Sequence, residues 1–260
     1  MKGVILAGGR GSRLFPLTKV TSKQLLPIYD KPLIYYPLST LMLAGIREIL
    51  IITTPEDQFN FQKLLSYGED FGIKISYEVQ LKPQGLAQGI LIARNFLAGD
   101  SFAFILGDNI FYGSGLGREL MNYKNISGAH IFGYRVSNPS DYGVAEINDS
   151  GKVVSLEEKP ESPKSNIAVT GLYFYDSQAV EFVNSLRPSK RDELEITDLN
   201  KVYLDIHELN CTILPRGTAW LDTGTFNGLH DASTFVRLTE ERTGLRIGDP
   251  SEVAQVQGWI

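Results

Sequence analysis

Three glycines crowd into Gly8-Gly9-Arg10-Gly11-Ser12-Arg13, directly after the apolar run Gly3–Ala7, and Lys23 follows ten residues beyond Arg13. A strand running into glycines lets the backbone approach a phosphate closely and aim several N–H groups at it. The spacing fits neither common phosphate fingerprint. A P-loop needs Gly-Lys-Ser/Thr after four intervening residues, and the dinucleotide pattern needs a third glycine where Leu14 stands. The same residues also suit a tight surface turn carrying solvated cations. Lys23 argues for more: in Ser22-Lys23-Gln24-Leu25-Leu26-Pro27 the apolar neighbours can anchor the lysine against a core, which a solvated lysine does not need.

Two aspartates are the candidate metal ligands. Phe102–Leu106 ends in Gly107-Asp108-Asn109, so Asp108 stands at the carboxyl end of a candidate strand, where it can hold a nucleotide-bound Mg²⁺. Gly-Asp-Asn is also ordinary turn chemistry. Asp222 lies in Ala219-Trp220-Leu221-Asp222-Thr223-Gly224-Thr225. An aspartic protease would need two Asp-Thr-Gly copies sharing a proton on an all-β framework, and this chain has one copy on an alternating pattern. Asp222 or Thr225 also suits the cap of a helix that begins near Phe226. Magnesium takes one or two carboxylates and completes its shell with phosphate and water, so Asp108 and Asp222 meet the count if the fold joins them.

A third set is suited to a polar, phosphorylated ligand. Glu157-Glu158-Lys159-Pro160 offers Glu158 as an acceptor for sugar hydroxyls and Lys159 as a partner for a phosphate, or else a solvated strand end. Tyr142-Gly143-Val144 exposes backbone that a sugar can approach, and Trp220 is either a stacking platform or core. His130, His207 and His230 have no ligand spacing and read as structural or surface residues, and Cys211, the single cysteine, reads as a small hydrophobe.

These residues need a scaffold. Strand-like runs at Gly3–Ala7, Glu48–Thr53, Lys74–Gln80 and Phe102–Leu106 alternate with helical patterns at Pro37–Ala44, Glu56–Leu65 and Leu86–Leu97, which predicts a mostly parallel sheet with helices on both faces. Ile131–Val136, Val144–Ile147, Val153–Glu157, Val169–Tyr175 and Leu209–Leu214 continue as strands, with helical patterns at Ser177–Leu186 and Ile196–Leu204. No linker or repeat interrupts the 260 residues, so one domain is expected: a nucleotide-binding part over about 1–110, a sugar-binding part over about 111–226, and a helical segment over 227–260. The composition, 43% hydrophobic and 21% charged with a net charge of -5 and no basic runs, excludes the disordered class and argues against a nucleic-acid partner. Leu33–Ile46, the longest apolar stretch, is interrupted by Pro37, Ser39 and Thr40, so no membrane span is expected and the chain reads as cytoplasmic.

Taken in order, Leu6 to Leu14, Ser22 to Pro27, Tyr35 to Ile46, Leu106 to Asn109, Glu157 to Pro160, Val169 to Asp176, Glu193 to Asp198 and Trp220 to Thr225 resemble the sugar nucleotidylyltransferase family, most closely the glucose-1-phosphate thymidylyltransferases. The resemblance implies a Rossmann-like three-layer α/β sandwich with a mostly parallel mixed sheet. It implies dTTP and glucose 1-phosphate as substrates, dTDP-glucose and pyrophosphate as products at the head of dTDP-rhamnose synthesis, Mg²⁺ as cofactor, and a homo-oligomer, dimer or tetramer. By that resemblance Leu6, Gly8, Gly9, Gly11, Ser12, Arg13, Lys23, Gln24, Gln80, Gly85 and Asp108 form the nucleotide side, with Gln80 and the Gly85 backbone reading the pyrimidine. Asn109, Tyr142, Gly143, Glu158, Lys159, Val169 and Trp220 form the sugar-phosphate side. Asp108 and Asp222 hold the metal, and Arg13, Lys23, Asp108 and Lys159 are the catalytic set. Ser12 replaces the family's usual threonine and keeps the hydroxyl.

Overall fold

Runs such as Val4-Ile5-Leu6 and Ile49-Leu50-Ile51-Ile52 are apolar at every position, as a strand must be when both its faces are covered. The computed structural model, which describes residues 1–9 and 11–260, shows that burial directly. Arg10, counted above with the phosphate candidates, lies outside the described residues. Thirteen strands form: β1 (Lys2–Leu6), β2 (Pro27–Ile28), β3 (Lys31–Pro32), β4 (Glu48–Thr53), β5 (Lys74–Val79), β6 (Phe102–Leu106), β7 (Asn109–Tyr112), β8 (Ala129–Arg135), β9 (Gly143–Ile147), β10 (Val153–Glu158), β11 (Ile167–Tyr175), β12 (Leu209–Ile213) and β13 (Ala219–Asp222). The helices are α1 (Tyr35–Leu43), α2 (Gln58–Leu65), α3 (Gln88–Ile92), α4 (Arg94–Leu97), α5 (Leu116–Met121), α6 (Ala179–Ser185), α7 (Ile196–Asp205), α8 (Phe226–Thr243) and α9 (Pro250–Val256).

The main sheet runs β10-β9-β11-β6-β1-β4-β5, with β8 and β12 branching from β11. Strands β1, β4, β5 and β6 pair in parallel, and the mixed character enters at β11, antiparallel to β6. Alternate residues serve opposite layers. Ile5, Ile49 and Ile51 pack with α1, α2 and α5 through Leu38, Leu41, Phe61 and Leu120, whereas Val4, Leu50 and Ile52 pack with α3, α4, α6 and α7 through Ile90, Leu97, Val183 and Leu199. Each such buried aliphatic side chain contributes about 1.5–3 kcal/mol. The three-layer sandwich expected from the alternating pattern is therefore present.

Strand order fixes where a ligand can sit. The chain builds β1, β4 and β5 outward on one side, then returns to place β6 on the other side of β1. Right-handed crossovers put the helices before and after that reversal on opposite faces, which opens a crevice at the carboxyl ends of β1 and β6. Gly8 follows β1 and Asp108 follows β6, so the two strongest sequence candidates emerge at this switch point.

One local expectation is corrected. The helix expected over Leu86–Leu97 is two short helices, α3 and α4, and starts later. Upstream, Leu194 N–H donates to Gln84 O at 2.8 Å and Ala87 N–H donates to Leu194 O at 3.1 Å, so this backbone is already bonded across space. Gly107-Asp108 does form a turn, and the chain then continues as β7, which pairs antiparallel with β13 in a separate two-stranded ribbon. No helix among the described residues is long and apolar enough to cross a membrane.

Candidate functional site

The ribbon joins the two acids. In its register Asp222 lies opposite Asn109, next to Asp108. Thr223 fastens the junction, its N–H donating to Asp108 O at 3.2 Å and its Oγ1 at 2.8 Å. Helix α8 is capped by Thr225, whose Oγ1 accepts from Gly228 N–H at 3.0 Å, and the Asp222 carboxylate instead accepts from Gly224 N–H at 2.9 Å. The capping alternative thus belongs to Thr225.

Cations stand beside this acid pair. Lys23, held in a 3-10 turn (Lys23–Leu25) between buried Ser22 and Gln24, forms an ion pair with Asp108. Arg13 follows the glycine turn in another 3-10 turn (Ser12–Leu14) anchored by fully buried Leu14. Its guanidinium lies over Gly224: a Cβ added there would sit 2.8 Å from Arg13 Nη2 and 3.1 Å from Asp222 Oδ1. Burial raises the pKa of both acids. At Asp108 the Lys23 ammonium and hydrogen bonds from Lys23 and Asn109 outweigh it and bring the carboxyl below its usual range. At Asp222 burial, reinforced by repulsion from Asp108, wins over Gly224 N–H, Lys23 and Arg13. A buried and a half-buried carboxylate that repel each other in a crevice fit a hard divalent cation. No group of three or more His, Cys, Asp or Glu side chains placed to hold a metal ion occurs among the described residues, so the rest of the shell would come from substrate oxygens and water, as a small hard cation prefers.

The crevice is a cleft of about 320 Å³. Leu6, Gly8, Arg13, Lys23, Gln24, Asp108 and Asp222, from the nucleotide side of the expectation, line it. Asn109, Tyr142, Gly143, Glu158, Lys159, Val169 and Trp220, from the sugar-phosphate side, line the same cleft. Glu158 ends β10 beside Gly143 of β9, with its carboxylate accepting from Thr197 Oγ1 at 2.6 Å and from Arg191 Nη2 at 3.2 Å. A Cβ at Gly143 would fall 3.2 Å from Thr197 Oγ1 and 3.4 Å from Glu158 Oε2, so glycine keeps this floor open. Lys159 turns out of the strand with φ 44, the left-handed region, and its N–H donates to Tyr142 O at 3.0 Å.

Several candidates differ from their expected part. Trp220 is core and cleft wall together: it is buried, donates from Nε1 to Asn109 Oδ1 at 2.6 Å, and meets Tyr142 edge to face. Asn109 Oδ1 also accepts from Gly171 N–H at 3.1 Å while its Nδ2 donates to Asp108 Oδ1 at 3.1 Å, which leaves one amide N–H to face a ligand. Gly9 and Gln80 line an adjoining hollow, where Gln80 Oε1 lies close against Gly8. Gly11, Ser12 and Gly85 line neither. Gly11 starts the 3-10 turn at φ 55, and Gly85, at φ 99, is pressed against the Leu194 backbone with no room for a Cβ. Cys211 is half-buried with its thiol pushed up to about 11, and His130 is buried with its imidazole pushed down to about 4, both by burial, in keeping with structural roles.

Arg191, Glu195 and Thr197 line the cleft and were missed as site residues. Arg191 is held by Glu195 at 2.9 Å and reaches Glu158. Its signal in the sequence was faint: a lone arginine in Lys190-Arg191-Asp192-Glu193 reads as a solvated charge run.

Comparison with known proteins agrees with this architecture. Residues 2–238 match the nucleotidyl transferase family. The chain is 56% identical over 260 residues to a glucose-1-phosphate thymidylyltransferase of Mycolicibacterium smegmatis, covering 100% of this chain and 90% of that protein. Among solved structures, a Bacillus anthracis protein described as a glucose-1-phosphate thymidylyltransferase, in complex with sucrose, is 41% identical with a TM-score of 0.84, covering 91% of this chain and 95% of that one. A UDP-glucose pyrophosphorylase complexed with UDP-glucose is 26% identical with a TM-score of 0.81, covering 92% and 98%. Fold, site and similarity together place the chain in the nucleotidyl transferase family, among the glucose-1-phosphate thymidylyltransferases.

Proposed function

We propose that the chain transfers the thymidylyl group of dTTP to glucose 1-phosphate, giving dTDP-glucose and pyrophosphate. The observation that carries this reading is one cleft lined by an acid pair, Asp108 and Asp222, and by four cations, Arg13, Lys23, Lys159 and Arg191. That concentration of cations suits two anionic substrates that repel each other and must be held together. In this reading Arg13 and Lys23 bind the triphosphate, Gln80 and the Gly85 backbone meet the pyrimidine, and Lys159 and Arg191 bind the sugar phosphate. Glu158, Gly143 and Val169 face the sugar, with Asn109 and Trp220 shaping that part of the cleft.

A phosphate monoester is largely dianionic near neutral pH, so the attacking oxygen needs no general base, and among the described residues no histidine lines the cleft. Lys159 and Arg191 orient that oxygen towards the α-phosphorus, in line with the departing pyrophosphate. Arg13 meets the charge that builds on the phosphates during transfer. Asp108 and Asp222 would hold Mg²⁺, which when bound supplies Lewis-acid charge neutralisation at the triphosphate. Asn109 and Thr223 keep Asp108 aimed, and Gly224 N–H keeps Asp222 aimed.

Pyrophosphate release measured with glucose 1-phosphate and each of dTTP, UTP, dCTP and ATP, with Mg²⁺ and with EDTA, tests the reading. Release with dTTP that EDTA abolishes is expected. Release with UTP but not dTTP would reassign the nucleotide, and no release with any triphosphate would overturn catalysis.

A further inference from the structure

Three glutamine side chains form a relay that runs from a backbone amide to the glycine turn. Gln84 N–H donates to Gln88 Oε1 at 3.0 Å, Gln80 Nε2 donates to the same oxygen at 2.6 Å, and Gln88 Nε2 donates to Gln84 Oε1 at 3.0 Å. The direction of this relay is not free. A backbone N–H offers only a proton, so the atom of Gln88 that it meets must be the carbonyl oxygen. That oxygen can only accept, so the atom of Gln80 that meets it must be nitrogen. Gln80 Oε1 is thereby turned the other way, against Gly8, where a Cβ would collide with it. Gln80 is only 3% exposed, and its own N–H is tied to Thr53 O at 2.8 Å, so the side chain has little freedom to swing.

An amide held this way presents its oxygen and its one remaining N–H in a fixed order. Thymine and uracil carry a donor at N3–H beside a carbonyl acceptor. Cytosine carries an acceptor at N3 beside an amino donor, the reverse order. A base tethered by its ribose and phosphates cannot slide to restore the match, so an amide of fixed direction discriminates where a freely flipping one does not. We propose that Gln88 is a positioning residue that locks the direction of the Gln80 amide and so makes the site select a pyrimidine bearing N3–H over cytosine. The proposal rests on the reading that Gln80 meets the base.

The test is the ratio of kcat/KM for dTTP over dCTP, from pyrophosphate release with glucose 1-phosphate, in wild type, Gln88→Leu and Gln88→Glu. Leucine removes the acceptor and frees the Gln80 amide. Glutamate only accepts, so it keeps the lock. The ratio should fall by at least roughly tenfold in Gln88→Leu, the fold-change that about 1.4 kcal/mol represents, chiefly through KM, and return towards wild type in Gln88→Glu. A ratio unchanged in Gln88→Leu, or lost equally in both variants, overturns the proposal. Wild type acting equally on dTTP and dCTP overturns base selection by Gln80 while leaving nucleotidyl transfer standing, and wild type inactive with every triphosphate overturns both. If thermal melting shows Gln88→Leu unfolded, Gln88→Ala serves as the unlocking variant under the same criteria.

Discussion

Gly224→Ala is a probe of the Arg13 site that removes no charged group. Gly224 does not have a left-handed φ, so alanine is conformationally allowed there. The added methyl would nevertheless lie 2.8 Å from Arg13 Nη2, 3.3 Å from its Cζ and 3.1 Å from Asp222 Oδ1. Comfortable contact to such atoms is about 3.5–4.0 Å, so the guanidinium must withdraw by roughly 1 Å. Arg13 is exposed, and moving the free end of its side chain costs folding little. Replacing glycine also removes backbone freedom from the unfolded chain, worth about 0.4–1 kcal/mol in favour of folding. Catalysis should suffer instead. Complete loss of a preorganised donor costs about 2–4 kcal/mol, and a 1 Å misplacement up to about 10²-fold, so kcat/KM should fall by roughly 10- to 100-fold with the melting temperature unchanged or slightly raised. Steady-state pyrophosphate release and thermal melting measure the two quantities. A cycle with Arg13→Ala isolates the route: once the guanidinium is gone, adding Gly224→Ala should cost little more. Full activity in Gly224→Ala, or effects that simply multiply in the double variant, would refute the placement of Arg13.

Other substitutions separate chemistry from scaffolding. Asp222→Asn should lower Mg²⁺-dependent pyrophosphate release by on the order of 10²-fold while the melting curve stays near wild type, whereas Thr225→Ala should cost about 1 kcal/mol of stability through the lost cap of α8 and spare most activity. Thr197→Val removes the 2.6 Å hydrogen bond to Glu158 and should raise KM for glucose 1-phosphate severalfold while leaving KM for dTTP unchanged, about 1 kcal/mol by the worth of one such bond. His130 is buried neutral, with its pKa lowered by burial to about 4. The unfolded chain takes up a proton near pH 6.5 that the folded chain refuses until about 4, so this stabilisation is complete above 6.5 and is lost as pH falls between the two. Denaturant titrations of wild type and His130→Phe should differ in that window by about 3 kcal/mol of pH dependence.

The parallel half of the fold was legible because strands buried on both faces read as unbroken apolar runs: Glu48–Thr53 and Phe102–Leu106 appear with the expected bounds. Gly8, Lys23 and Asp108 were legible because glycines and charges following such strands fall at the open end of the sheet. The ribbon β7–β13 was not, since Asn109-Ile110-Phe111-Tyr112 is four residues long and its partner lies more than a hundred residues away. Arg191 was missed because what distinguishes it from a solvated arginine, the Glu195 and Glu158 carboxylates around it, is assembled by tertiary contacts. Leu86 and Ala87 looked helical by their apolar content, while the backbone bonds that keep the helix from starting there involve Leu194. Local pattern found the elements; long-range pairing decided which side chains share the cleft.

The ribbon also dates the site within the life of the chain. Asp108 belongs to its first half and Asp222 to its last fifth, and only the antiparallel zipper of β7 with β13 sets them side by side. A nascent chain emerging from the ribosome would already possess its glycine turn and both cations near it, yet would lack the second acid until translation was nearly done. The acid pair therefore arrives late and all at once, and a truncated product ending before β13 would be left with the glycine turn and Asp108 but without Asp222.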